Sequence, residues 1–231
     1  MNILALESSA KAASAAVCRD GELIAQYYQS SGLTHSRTLL TMAKSMLENL
    51  DMTLDGIDGI AVARGPGSFT GIRIGVAAAK GLAWGAEKPL CGVSTLEAMA
   101  YHCQNPDFIV CPVMDARRSE VYNALFEFNG SELKRLSPDR AISLEALSED
   151  AKKSTKKYFL VGDGALLCYN FFSGKNIPCV LAPENIRLQS AWGVAMASRN
   201  GIFTDPGDIE PNYLRLSQAE RERLAKLAAQ G

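Results

Sequence analysis

The stretch Arg64-Gly65-Pro66-Gly67-Ser68-Phe69-Thr70-Gly71-Ile72-Arg73-Ile74-Gly75 constrains the fold more than any other part of the chain. It follows the apolar run Gly59-Ile60-Ala61-Val62-Ala63 and leads into an alanine-rich segment ending near Gly85. A strand therefore feeds a glycine turn that opens a helix, the unit from which α/β folds are built. The glycines allow positive φ and close backbone approach, and Ser68 and Thr70 can cap the first helical turn. Free N–H groups at such a terminus could hold an anion; equally, the turn could serve only tight strand-to-helix packing. The spacing excludes two familiar loops. A Walker A loop ends in Gly-Lys-Ser/Thr, whereas Gly71 is followed by Ile72 and Arg73, and Thr70 stands where G-x-G-x-x-G needs its third glycine.

Around this unit the first half predicts strands over 2–6, 14–18 and 22–28, with Asp20-Gly21 as a hairpin turn. A helix follows over 34–50, with Leu39, Ala43, Met46, Leu47 and Leu50 at helical spacing, and a strand over 90–93 precedes a helix over 95–103. The second half repeats the order: strands over 108–114, 120–128 and 132–136, a helix over 144–153 capped by Ser143, and a strand over 157–161 entering Gly162-Asp163-Gly164. A helix through Phe172, a strand over 179–181 and a helix over 189–200 complete it. Both halves read β-β-β-α-β-α-β-α, which predicts a duplicated α/β chain with domains at 1–104 and 105–231.

Each first strand ends in a carboxylate and a polar turn: Glu7-Ser8-Ser9 in one half, Asp115-Ala116-Arg117-Arg118 in the other. Two tandem lobes of this order resemble the ribonuclease H-like actin, Hsp70 and sugar-kinase (ASKHA) superfamily. There, paired turns hold nucleotide phosphates between the lobes, although a shared fold does not transfer an activity. The candidate nucleotide or anion set is Glu7, Ser8, Ser9, Gly65, Gly67, Ser68, Thr70, Arg73, Asp115, Arg117 and Arg118. Glu7 could instead cap its own turn, and Asp115 could pair with Arg117 or Arg118. For the cluster Arg117, Arg118 and Glu120 a structural or interlobe role is expected.

Composition narrows the classes. Of 231 residues 47% are apolar, enough for real cores. The 24 basic and 25 acidic residues leave a net charge of −1, so no global positive field gathers nucleic acid. Six scattered cysteines without a CxxC pair, and a start without a signal-peptide layout, predict reduced thiols in a cytoplasm. No apolar run is long enough to cross a bilayer.

Taken together, the opening Ile-Leu-Ala-Leu-Glu-Ser-Ser, the GPGSFTGIRIG string, Gly92-Val93-Ser94-Thr95-Leu96, Asp115 to Tyr122 and Pro211-Asn212-Tyr213-Leu214-Arg215 resemble the bacterial TsaB (YeaZ) family over nearly the whole chain. The one departure noted is Glu7, where the family usually has Asp. The resemblance implies a non-catalytic subunit of the machinery that makes threonylcarbamoyladenosine (t6A) at position 37 of tRNAs reading codons that begin with A. It implies pairing with the paralogue TsaD, which carries the transfer chemistry, and with the ATPase TsaE. It also implies a homodimer when TsaD is absent, and contact with tRNA only through the complex. No cofactor of its own is implied, though ATP or ADP could sit at the complex interface.

Where TsaD carries two metal-binding histidines, the aligned positions here are Thr95 and Met99, neither of which replaces an imidazole ligand. The histidines, His35 and His102, read as surface or cap residues, and no Ser/His/Asp order is evident. A scaffold needs a surface instead. Leu39, Met42, Met46, Ile72, Gly75, Val76, Ala79, Leu82 and Ala83, on the two first-half helices, are its expected lining, unless both helices are simply buried. The segment from Ser217 to Gly231 has helical composition. Two enzymatic alternatives remain: a small-molecule kinase or ATPase working in the interlobe cleft, and a metallo-glycopeptidase.

Overall fold

The computed structural model describes residues 1–215. Asn2–Glu7 (β1), Ala13–Arg19 (β2) and Glu22–Gln29 (β3) form an antiparallel meander, to which Gly59–Ala63 (β4) and Leu90–Val93 (β5) add in parallel in the order β3-β2-β1-β4-β5. Asp20 and Gly21 both take positive φ, 51° and 88°, as a tight hairpin twisted with its strands requires. The helices of this half are His35–Asn49 (α1), Phe69–Gly85 (α2) and Thr95–Ala100 (α3).

The second half contains Phe108–Asp115 (β6), Glu120–Asn123 (β7), Phe126–Asn129 (β8), Glu132–Arg135 (β9), Arg140–Ser143 (β10), Lys157–Val161 (β11) and Cys179–Leu181 (β12). Its sheet runs β10-β7-β6-β11-β12, the same order and senses as the first, with β8 and β9 attached as a hairpin through β8. Leu144–Ala151 (α4), Ala165–Gly174 (α5), Glu184–Arg187 (α6) and Ala191–Ser198 (α7) complete it. Four helices start alike. Ser68, Ser94, Ser143 and Ser190 each accept the N–H three residues on, capping α2, α3, α4 and α7.

The duplication therefore stands, but its third strand is β10 and not the segment 132–136. The single strand expected over 120–128 is two. Pro112 offers no N–H to a ladder, and the buried Asn123 side chain donates to its carbonyl at 3.0 Å and to that of Ala124. Pairing with β6 accordingly breaks between Val113, opposite Asn123, and Val110, opposite Phe126.

Layers alternate α-β-α-β-α. On one face of the first sheet, Leu4, Leu6, Val17 and Val62 pack against Leu39 and Met46 of α1 and Ile72 and Ala79 of α2. Its other face, with Ile3, Ala5 and Ala16, meets α3 and α7, whose far side reaches Met114, Tyr122 and Phe126 of the second sheet. Cys111, Val113 and Leu160 then pack on α4 and α5. Helix α7 is apolar all round because it is buried all round. It comes from the second half of the sequence, so the expected division at 104/105 separates the sheets while α7 lies on the first one. The backbones of α3 and α7 touch at Gly193, where a Cβ would sit 2.3 Å from the Ala98 carbonyl. The architecture is that of two tandem ribonuclease H-like lobes. Among the described residues no helix is long and apolar enough to cross a membrane.

Candidate functional site

The turn after β1 nests inside the glycine turn that precedes α2. Ser68 N–H donates to the Ser9 carbonyl at 2.7 Å, and the Ser8 hydroxyl donates to the Gly71 carbonyl at 2.9 Å. A Cβ on Gly67 would lie 2.4 Å from the Ser9 carbonyl, one on Gly71 2.2 Å from that of Ser8, and one on Gly75 2.5 Å from Ser8 Oγ. The glycines are thus demanded by this chain's own backbone, and the Ser68 N–H is taken by it. Thr70 and Arg73 lie exposed outside the nest.

Both carboxylate turns close the same way. Glu7 Oε1 accepts the N–H of Ser9, and Asp115 Oδ1 accepts the N–H of Arg117 at 2.7 Å. Glu7 therefore caps its own turn, and Asp115 engages the Arg117 backbone. Arg117, Arg118 and Ser119 all take φ near +60° and their side chains are exposed.

The C-terminal motif ties the two turns together. Asn212 N–H donates to the Arg64 carbonyl at 2.7 Å, Tyr213 stacks on Phe69 with ring centroids 4.5 Å apart, and Arg215 pairs with Glu120 and donates to the Ala116 carbonyl. Glu120 is thus engaged by Arg215, a residue of its own half.

Between the halves lies a buried polar cluster. Glu7 has no exposure; its burial, and secondarily the Asp163 charge, push its carboxyl up to about 7 against the lowering bonds of Ser9. Asp163 is raised too, by burial first and by the Asp115 charge, against the charge of Lys11. Glu7 Oε2, Ser9 Oγ, Asp163 Oδ1 and both Gln189 side-chain atoms are buried without a hydrogen-bond partner. Asp163 and Gln189 were missed in the sequence, although Gly162-Asp163-Gly164 is a strand-to-glycine-turn-to-helix unit like the one at Gly65.

The expected partner lining is mostly internal. Leu39, Met46, Ile72, Gly75, Val76, Ala79 and Ala83 are buried in the chain's own core, leaving Met42 and Leu82 half-exposed. The outward residues of the same helices are Leu40, Ala77, Gly81 and Trp84, the last 57% exposed. Thr95 and Met99 are buried on α3. His35 Nε2 meets the Ala10 carbonyl, but His102 is no surface residue. Its Nδ1–H donates to the Ile186 carbonyl, its Nε2 accepts from Ser190, its ring stacks on Trp192, and burial depresses its pKa to about 4. Among the described residues no group of three or more His, Cys, Asp and Glu side chains is placed to hold a metal ion. The segment from Ser217 onward lies outside the described residues.

Comparison with known proteins places this geometry. Residues 29–221 match the family described as TsaD, tRNA N6-adenosine threonylcarbamoyltransferase. The chain is 31% identical over 224 residues to the tRNA threonylcarbamoyladenosine biosynthesis protein TsaB of Bacillus subtilis, covering 95% of this chain and 96% of that one. The TsaB protein of Escherichia coli is 40% identical over 129 residues, 55% of each chain. The solved structure titled YeaZ from Pseudomonas aeruginosa superposes with a TM-score of 0.74 at 25% identity, covering 92% of this chain and 99% of that one.

Proposed function

The chain belongs to the TsaB (YeaZ) family, and from that premise we propose that it is a non-catalytic scaffold of t6A biosynthesis that docks on TsaD through the outward face of α1 and α2. The observation that carries the reading is the nesting of the β1 turn in the glycine turn. Where the glycine turn could have offered free N–H groups to an anion, its Ser68 N–H is bonded to the Ser9 carbonyl and its glycines pack against the Ser8 and Ser9 backbone. What remains for partners is surface. Leu40 on α1 and Ala77, Gly81 and Trp84 on α2 point outward, and apart from the adjoining backbone of α2 itself nothing among the described residues lies within 4 Å of where a Cβ on Gly81 would be. Small residues beside one large aromatic admit a partner helix closely and anchor it. In this reading TsaD supplies the transfer chemistry, TsaE joins the pair, any ATP or ADP sits at the complex interface, and a second copy takes the same face when TsaD is absent.

The test uses Leu40→Arg and Gly81→Trp, both at exposed positions. Each is expected to leave the chain folded, abolish co-purification with TsaD and remove t6A formation in the reconstituted system. Unimpaired pairing by both variants rejects the surface, and steady turnover of ATP by the isolated chain rejects the non-catalytic role.

A further inference from the structure

Among the described residues, partly buried lysines and arginines other than Arg64 have a polar partner. Lys80, Lys88 and Arg187 donate to backbone carbonyls, and Arg140, Lys175 and Arg215 reach carboxylates. Arg64, at the head of the glycine string, donates its guanidinium to none of them. A half-buried guanidinium without a bonded partner gives up part of its hydration and regains no hydrogen bond from the protein.

Its placement is fixed. The Arg64 backbone is held on both sides, N–H to the Val93 carbonyl at 3.0 Å and carbonyl to the Asn212 N–H. Its stem crosses Gly92, where a Cβ would lie 2.8 Å from Arg64 Cδ. The residue thereby lines a cavity of about 440 Å³ between the halves, within the range of small-molecule sites. Asn200 and Asn212 share that wall, and their side-chain amides make no hydrogen bond to the described residues. The cavity's other cation, Arg135, is neutralised by Glu97 and Asp139, and Ser94 donates to the remaining Asp139 oxygen. Two cations and two carboxylates line the cavity, and Arg64 is the one of the four charged groups that makes no ion pair or side-chain hydrogen bond to the described residues, beside two amide donors.

We propose that this groove binds a small oxyanion, a carboxylate or a phosphate, on the guanidinium of Arg64 and the amides of Asn200 and Asn212. Glu97 and Asp139 opposite limit the ligand to one small anionic group, because an extended polyphosphate would meet their charge. The proposal is independent of the scaffold reading, since it concerns the isolated chain.

The full-length chain is titrated with inorganic phosphate and, separately, with acetate, at constant ionic strength made up with sodium chloride. Melting temperature and the Arg Nε–H resonances are followed. A saturable rise in melting temperature with one of the two anions, absent with chloride, is expected, and the responding arm identifies the class. Arg64→Gln should abolish the saturable part, and Asn200→Asp, an exposed position, should weaken binding about tenfold by placing a negative charge in the wall. Should Arg64→Gln not fold, Asn200→Asp alone carries the comparison. No saturable response to either anion, or wild-type affinity in Asn200→Asp, overturns the proposal.

Discussion

Arg73 donates its Nε–H to the hydroxyl of Tyr213 at 2.8 Å, joining the first turn of α2 to a residue 140 positions later. The Tyr213 ring also stacks on Phe69, so one side chain holds the C-terminal strap to the start of α2. Tyr213→Ala is expected to cost about 1–2 kcal/mol and Tyr213→Phe about half of that, since the second variant keeps the stack and loses only the hydrogen bond. Urea denaturation measures both. Equal stability of Tyr213→Ala and wild type would show that the strap is held elsewhere.

Gly71 and Gly81 lie in the same helix and should respond oppositely to a methyl group. At Gly71 a Cβ would lie 2.2 Å from a backbone carbonyl, so Gly71→Ala must push the β1 turn out of its nest, at a cost of more than about 2 kcal/mol. At Gly81 nothing lies near, and Ala's better helix propensity should make Gly81→Ala neutral or stabilising by up to about 1 kcal/mol. Chemical denaturation of the pair reads the contrast, and a similar loss in both variants contradicts the nesting geometry.

Ala79 and Ala83 provide the matching control for the partner surface. Both are fully buried against the first sheet, so Ala79→Trp overpacks the core and is expected to yield aggregated or molten chain. A well-folded Ala79→Trp, judged by near-UV circular dichroism, would mean that this helix face is open.

The first half was legible in detail because its signals are local: apolar runs, the Asp20-Gly21 turn, and serine caps at the helix starts. β4 runs over Gly59–Ala63, as the sequence reads. The second half misled where a long-range partner decides the outcome. Arg140–Ser143 has no apolar run, yet it forms β10 because β7 offers an edge. Asn123 marks the break at Pro112 only once β6 and β7 are side by side. The partner surface was misread for a related reason. Periodicity finds the apolar face of a helix, and an apolar face near a sheet is normally the buried one. Leu40, Gly81 and Trp84 stand on the faces that periodicity sets aside. Asp163 stands in a glycine turn that the sequence displays, but only the fold brings it near Glu7, and Gln189, near Asp163, carries no pattern of its own.

The buried Glu7 carboxyl should make the fold less stable as pH rises. Its folded value near 7 lies above the ordinary 4.5, so the folded state holds the proton more tightly. The neutral-form advantage is fully present below pH 4.5 and is lost as pH climbs through 7. Glu7→Gln removes this titration while keeping an oxygen for the Ser9 N–H. At pH 8 it is expected to exceed wild type by up to about 3 kcal/mol, and at pH 4.5 the two should converge. Urea denaturation at several pH values tests this, and parallel wild-type and mutant curves would refute it.

His102 sets the acid limb with the opposite sign. Its folded value near 4 lies below the ordinary 6.5, so between these values the unfolded chain takes up the proton that the fold refuses. Stability therefore falls as pH drops from 6.5 to 4, and below 4 the imidazolium must be carried inside. Protonation also gives Nε2 a hydrogen where the Ser190 hydroxyl now donates, while that hydroxyl oxygen accepts the Gly193 N–H that caps α7. His102→Gln should lower stability at neutral pH, because the stack on Trp192 is lost, yet show a flatter profile between pH 6.5 and 4. Trp192 emission followed through an acid titration of the folded wild type locates the same event. A transition centred near the ordinary histidine value would mean that this imidazole is hydrated and that the junction of α6 and α7 does not depend on its neutral form.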